Sequence, residues 1–323
     1  MLLAAGRVCL LCAAAAWALP QETSAQAYPS HPVRMVVPFP PGGPSDTLAR
    51  ILAQKITERW GQTVVVDNRP GGNTLIGAEM VARSAPDGYT LLMPIDSTLT
   101  MNPALYAKLP YDPEKSFAPV SMLTRQSLLI SVHPKLAIRS LKELVAYAKA
   151  NPGKINYATG AITSHVAGEL FKSIAGIDIV TVRYKGGAPA FQAVLAGDVE
   201  MAITDMLSAI PHLKEGRVYG LATTGPQRAQ VLPSLPTVAE EGYPGFEVRY
   251  WFALLAPART PRPIVDKLNG EVRAVLNLAE VKARLATAGL EVSPSTPEEL
   301  AEIVKTEGEK WAKVIRTAGI QVE

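Results

Sequence analysis

Between residues 33 and 93 the chain alternates β-branched runs with segments of helical spacing. Residues 33–39 (VRMVVPF) predict a strand. Residues 47–60 place Leu48, Ile51, Leu52, Ile56 and Trp60 on one helical face, and Gly61 stands where a helix commonly ends. Residues 63–66 predict a second strand, 76–83 a helix and 90–93 a third strand. The order βαβαβ is that of a parallel sheet covered by helices.

A second run of the same grammar begins near Leu128. The segments LLISVHP, INYAT, DIVTVRY, VEMAIT and VYGLATT read as strands. Between them lie helices: one opened by the capping box Ser140-Leu141-Lys142-Glu143, one over SHVAGELFKSIAG, one over APAFQAVLAG and one near residues 209–214. From Pro261 the tail is helical, and Thr296-Pro297-Glu298-Glu299 starts a last helix running to about residue 318. Two α/β blocks with no flexible tether predict two lobes. The helical tail has no sheet of its own, so the chain is expected to return to the first lobe.

The amino terminus changes the picture. Arg7, an apolar run over residues 8–19 and Ala25-Gln26-Ala27 ahead of Tyr28 read as a secretory leader cleaved near Ala27. The run is too short to span a bilayer, and no later stretch is long and apolar enough to do so. Both cysteines, Cys9 and Cys12, fall in the leader, so the mature chain would hold no disulfide, thiolate nucleophile or cysteine-bound metal. The 323 residues carry a net charge of +3 with no basic cluster, which argues against a nucleic-acid surface. The expectation is an exported, soluble monomer.

In a parallel sheet, ligands bind where strands end and helices begin, because the first N–H groups of a helix are unpaired and favour anions. Residues 39–46 (FPPGGPSD) form such a loop without a basic side chain. Phe39, Pro41, Gly42 and Gly43 are candidate ligand contacts through backbone donors; a rigid connecting turn is the plainer alternative. Asp46 reads as the helix N-cap or its neighbour, with contact to a ligand ammonium or a water as the other use. Ser97 and Thr98 follow the third strand. In the second block Thr159, Thr163, Ser164 and His165 sit at a strand–helix junction, where hydroxyls either cap the helix or bind ligand. Tyr184 opens another Gly-rich loop, and Thr204 and Asp205 end a strand. Arg69 could meet an anion but reads more simply as a surface group. There is no G-x-G-x-x-G, Walker loop or H-E-x-x-H, and the four histidines are scattered, so neither cofactor nor metal is expected.

Several long motifs now agree at once. YPSHPVRMVVPFPPGGPSDTLARILAQKITERWGQTVVVDNRPGG, APDGYTLLM, NPALYAKLPYDPEKSFAPVSML, NPGKINYAT, YKGGAPAF and WFALLAPARTP resemble the solute receptors of tripartite tricarboxylate transporters, the Bug receptors, in order along the whole mature chain. The resemblance implies a two-lobed periplasmic binding protein of type II, a Venus flytrap with a hinge and an inter-lobe cleft. It implies that the P-x-G-G-x-x-D loop, here residues 39–46, holds one carboxylate with ordered waters. Ser97 and Thr98 would lie nearby, and the second lobe would read the rest of the ligand through the loop before HVAGELF and through Thr204 and Asp205.

Departures fall in these reading loops. The stretch 159–164 is about two residues short, Asn73-Thr74-Leu75 replaces a glycine-rich run, Thr204 stands where an acid is frequent, and Pro94-Ile95-Asp96 replaces a small glycine-containing stretch. The family likeness therefore does not carry a ligand identity.

The resulting expectation divides the chain into a leader (1–27), a discontinuous first lobe (28–126 and 248–323) and a second lobe (127–247). It is a receptor that binds a small organic carboxylate and delivers it to a separate membrane permease, not an enzyme. A sensor that presents its closed form to a membrane signalling protein would share the fold. A hydrolase using Ser164 and His165, or Asp205, is the reading from another class, and no G-x-S-x-G elbow accompanies it.

Overall fold

The computed structural model describes residues 28–321, so the expected leader lies outside the described residues. Its first half runs β1 (Val33–Val37), α1 (Pro44–Trp60), β2 (Val64–Asn68), α2 (Leu75–Ala82), β3 (Thr90–Leu92), α3 (Asp96–Thr100), α4 (Asn102–Leu105) and β4 (Phe117–Ser127). The second half of the ribbon follows at once: β5 (Leu129–Val132), α5 (Leu141–Ala150), β6 (Asn156–Thr159), α6 (Ile162–Ala175), β7 (Val180–Arg183), α7 (Gly187–Ala196), β8 (Met201–Thr204), α8 (Met206–Lys214) and β9 (Tyr219–Thr223). The chain then closes with β10 (Arg249–Pro257), α9 (Arg262–Leu276), α10 (Ala279–Thr287) and α11 (Pro297–Thr317).

These strands build two five-stranded sheets, ordered β2-β1-β3-β10-β4 and β7-β6-β8-β5-β9. The β2-β1-β3 ladder is parallel, as the βαβαβ pattern predicts. β10 is antiparallel to both of its neighbours, and so is β5, which makes each sheet mixed. The chain crosses between sheets at Leu128 and again between β9 and β10. The helical tail does return: α9 and α11 both pack on β4.

The elements follow their side chains. In α1 the face formed by Leu48, Ile51, Leu52 and Ile56 is buried on the sheet. The stretch WFALLAP in β10 is apolar at nearly every position because this strand lies inside the sheet and is covered on both faces. Sequence patterning missed β4, β10 and the short helices α3 and α4, whose runs carry no clean period of two or 3.6. The first helix also starts earlier than its apolar periodicity indicates. Gly43 is its N-cap and Pro44 its first residue, so Asp46 is the third residue of the helix rather than its cap.

Candidate functional site

The loops at the carboxyl ends of β1, β3, β6, β7 and β8 face one another across the crevice between the sheets. They enclose an inner chamber of about 60 Å³. At roughly 10–15 Å³ per water position, that is space for about four to six waters, the size of a small polar head group. A wider outer chamber of about 590 Å³ adjoins it and shares Phe39, Pro40, Gly160, Ala161 and Gly186.

Four helices point their amino ends at the inner chamber. Gly43, Pro44 and Ser45 begin α1; Ala161, Thr163 and Ser164 begin α6; Gly186 to Pro189 begin α7; and Asp205 caps α8. At α1, α6 and α7 the first donors have no partner within the helix and the helix polarity adds partial positive charge, whereas at α8 the Asp205 carboxyl takes the Ser208 N–H. No lysine, arginine or histidine is among the residues lining this chamber. Its side walls are apolar: Phe39, Ile95 and Leu128, together with the rings of Tyr250 and Phe252. Such a space strips an anion of water and returns hydrogen bonds from main-chain donors.

Close backbone approach makes this convergence attainable. A Cβ on Gly160 would stand 2.1 Å from the carbonyl carbon of Gly186, and one on Gly187 would stand 2.2 Å from Asp205 Oδ2. Backbone bars any Cβ at Gly160, whereas one at Gly187 would force the Asp205 side chain to move. Asp205 is held by the N–H and hydroxyl of Ser208 at 3.0 and 3.1 Å. Burial pushes its carboxyl group up, and the Ser208 bonds offset only part of that. Tyr250 is also pushed well up, chiefly by burial and further by the neighbouring carboxyl groups wherever they ionise, so its phenol remains a hydrogen-bond donor.

The sequence candidates separate into groups. Phe39, Pro41, Gly43, Thr163, Ser164, Thr204 and Asp205 line the inner chamber. Ser97 and Tyr184 line the outer one. Thr204 has a buried hydroxyl without a partner, whereas Ser164 Oγ is committed to Thr159 Oγ1 at 3.0 Å and Ala161 O at 2.8 Å.

Five candidates lie elsewhere. Thr159 is behind that bond, inside the loop. Gly42, at φ +91°, turns its N–H to Asp46 Oδ2 at 3.1 Å. Asp46 is thereby the loop's own brace, and it also accepts from Arg50 at 2.9 Å. Burial raises its carboxyl group, but the donors Arg50, Gly42 and Asn68 outweigh this and hold it below the usual range. The Thr98 hydroxyl shares a hydrogen bond with that of Thr74 at 2.8 Å, and Thr98 itself lines neither chamber. His165 points toward the chain end, 3.4 Å from Gln321 O, and burial depresses its basicity. Ser164 and His165 thus diverge and form no nucleophile–base pair.

Other lining residues escaped sequence reasoning. Ile95, Leu128 and Phe252 come from segments without loop chemistry. The alternation of β10 could have supplied Phe252, since it shares a strand face with Tyr250. Trp251 faces the other way and donates to Glu307 at 2.7 Å.

Two α/β lobes joined by two crossings, with a crevice at the carboxyl ends of their strands, define a periplasmic solute-binding protein. The family model described as "Tripartite tricarboxylate transporter family receptor" matches residues 48–320, and the chain belongs to that family. BugT of Bordetella pertussis is 37% identical over 303 residues, covering 93% of each chain. The solved structure of R. palustris Rpa4515 with adipate superposes with a TM-score of 0.88 at 37% identity, covering 91% of this chain and 99% of that one. MatC from the same organism, with bound malate, gives 0.84 at 34% identity, covering 89% and 100%. Receptors of this family are periplasmic. Among the described residues no helix is long and apolar enough to cross a membrane.

Proposed function

We propose that this protein captures a small organic carboxylate in the inter-lobe crevice and passes it to a tripartite tricarboxylate-type membrane permease. The observation that carries this reading is the meeting of four helix amino ends around a chamber without a basic side chain, together with the unpartnered buried hydroxyl of Thr204. A carboxylate needs several donors and tolerates apolar walls around its carbon chain; main-chain donors supply the first and the aromatic rings the second. The carboxylates bound in Rpa4515 and MatC support the assignment by likeness.

In this reading the acid head occupies the inner chamber and a longer chain extends toward Ser97 and Tyr184. Residues 28–126 and 248–323 move as one lobe and 127–247 as the other, closing on ligand because each contributes contacts that only the closed form unites. Export depends on the leader, cleaved near Ala27. The test is a thermal-shift screen of organic acids on the mature chain, followed by calorimetry on the hits. One-to-one binding of an acid that raises the melting temperature supports the reading. Absence of any acid among the binders rejects it.

A further inference from the structure

Behind the inner chamber a side-chain hydrogen bond crosses from one lobe to the other. Thr163 Oγ1, in the first turn of α6, donates to Asp96 Oδ1 at 2.9 Å. Asp96 opens α3, which packs on α11 and β10 of the first lobe. Both side chains are fully buried. The bond exists only while α3 and α6 are in contact, so opening the crevice breaks it and wets the carboxyl group.

The surroundings suit a neutral acid. The partners of Asp96 are the Thr163 hydroxyl and the Ser97 N–H, and Oδ2 has none. The charged groups facing it are Glu307 from α11 and Arg125 from β4, which are paired with each other; β10 contributes the phenol of Tyr250, α6 the neutral Thr163, and α4 nothing titratable. An ionised carboxylate drawn out of water beside Glu307, with one oxygen unpaired, is only partly compensated by the Thr163 hydroxyl, the Ser97 N–H and an Arg125 that Glu307 already engages. Burial accordingly pushes Asp96 well above the usual carboxylate range, the charge of Glu307 adds to this, and the Thr163 bond offsets part of it.

We propose that Asp96 is a positioning residue for ligand capture: as the lobes close it takes up one proton from solvent, docks on Thr163 as the neutral acid and fixes the first turn of α6 over the ligand. The proposal rests on the receptor reading and deepens it. The closed form holds one proton more than the open form, so falling pH favours closure. Affinity rises by up to about tenfold per pH unit between the raised closed-state value and the ordinary aspartate value, and is flat outside that window.

Calorimetry with adipate and malate, at about pH 7 in two buffers of different ionisation heat, counts the protons. The expected result is net proton uptake on binding, in the direction that the buried Asp96 carboxyl sets. Asp96→Asn should abolish the uptake, bind more tightly than the native protein at that pH and lose the pH dependence. No uptake in the native protein, uptake that survives Asp96→Asn, or uptake lost instead in Asp205→Asn overturns the proposal. If Asp96→Asn does not fold, Thr163→Val should weaken binding about tenfold and Thr163→Ser should restore it; unchanged binding in Thr163→Val overturns it. If neither acid binds, the receptor reading is what fails for these probes, and the latch is read without ligand. Small-angle scattering should then show the native protein becoming more compact from about pH 8 to about pH 5 while Asp96→Asn does not respond, and a native protein that does not respond overturns the proposal.

Discussion

Thr204→Val separates a hydroxyl kept for a ligand from one kept for the fold. Thr204 ends β8, is 2% exposed, lines the inner chamber and has no hydrogen-bond partner for Oγ1. Valine matches its shape and its preference for a strand, so the change replaces a hydroxyl by a methyl group and little else. An unpaired buried hydroxyl costs about 1–3 kcal/mol, so the ligand-free variant should melt at the same temperature or higher. At about 2–4 °C per kcal/mol for a chain of this size, the gain reaches several degrees. Binding should move the opposite way. A hydroxyl donating to a carboxylate contributes about 1.5–3 kcal/mol, so losing it weakens affinity by about ten- to 150-fold. Thermal melting without ligand, and calorimetry with an acid found by screening, measure the two effects. A variant that melts lower yet binds as tightly as the native protein refutes the reasoning, because the hydroxyl would then serve the fold alone.

The same geometry yields three shorter expectations. Gly187→Ala drives a methyl group onto Asp205 Oδ2, dislodging that side chain from Ser208; melting should drop by the equivalent of about 1–3 kcal/mol and acid binding should be lost. Because the inner chamber has no basic side chain, raising salt from about 0.05 to about 0.5 M should change acid affinity less than about twofold; a steep salt dependence by calorimetry would instead place an exposed cation such as Lys185 on the ligand. His165 is held neutral in the fold while the unfolded chain protonates it near the ordinary value of 6.5, so its contribution is present above that pH and lost as pH falls through it. His165→Gln should flatten the decline in melting temperature just below pH 6.5, and an unaltered profile would show that the ring does not set it.

Much of the fold was legible locally. The β-branched runs at residues 33–39 and 63–66 and the apolar stripe of α1 declare themselves, because each period matches one buried face. β4 and β10 did not, since a strand covered on both faces alternates weakly and its identity depends on what lies on either side. In the site, loop chemistry pointed to Phe39, Gly43, Ser164 and Asp205. It overreached at His165 and Thr98, where a turn of helix decides which way a side chain projects and no spacing rule reports the neighbour it meets.

Residue order is enough to show that strand ends run into glycine-permitted helix starts, that the first such loop carries no basic side chain, and that the whole agrees with a known receptor family. These properties are local: they depend on residue type and on neighbours a few positions away. It takes the folded chain to show that four helix starts from two sheets meet at one small chamber, and that Asp96 and Thr163, 67 positions apart, share a hydrogen bond between the lobes. Such encounters are set by how the two lobes pack, and packing depends on the shape of every buried side chain at once.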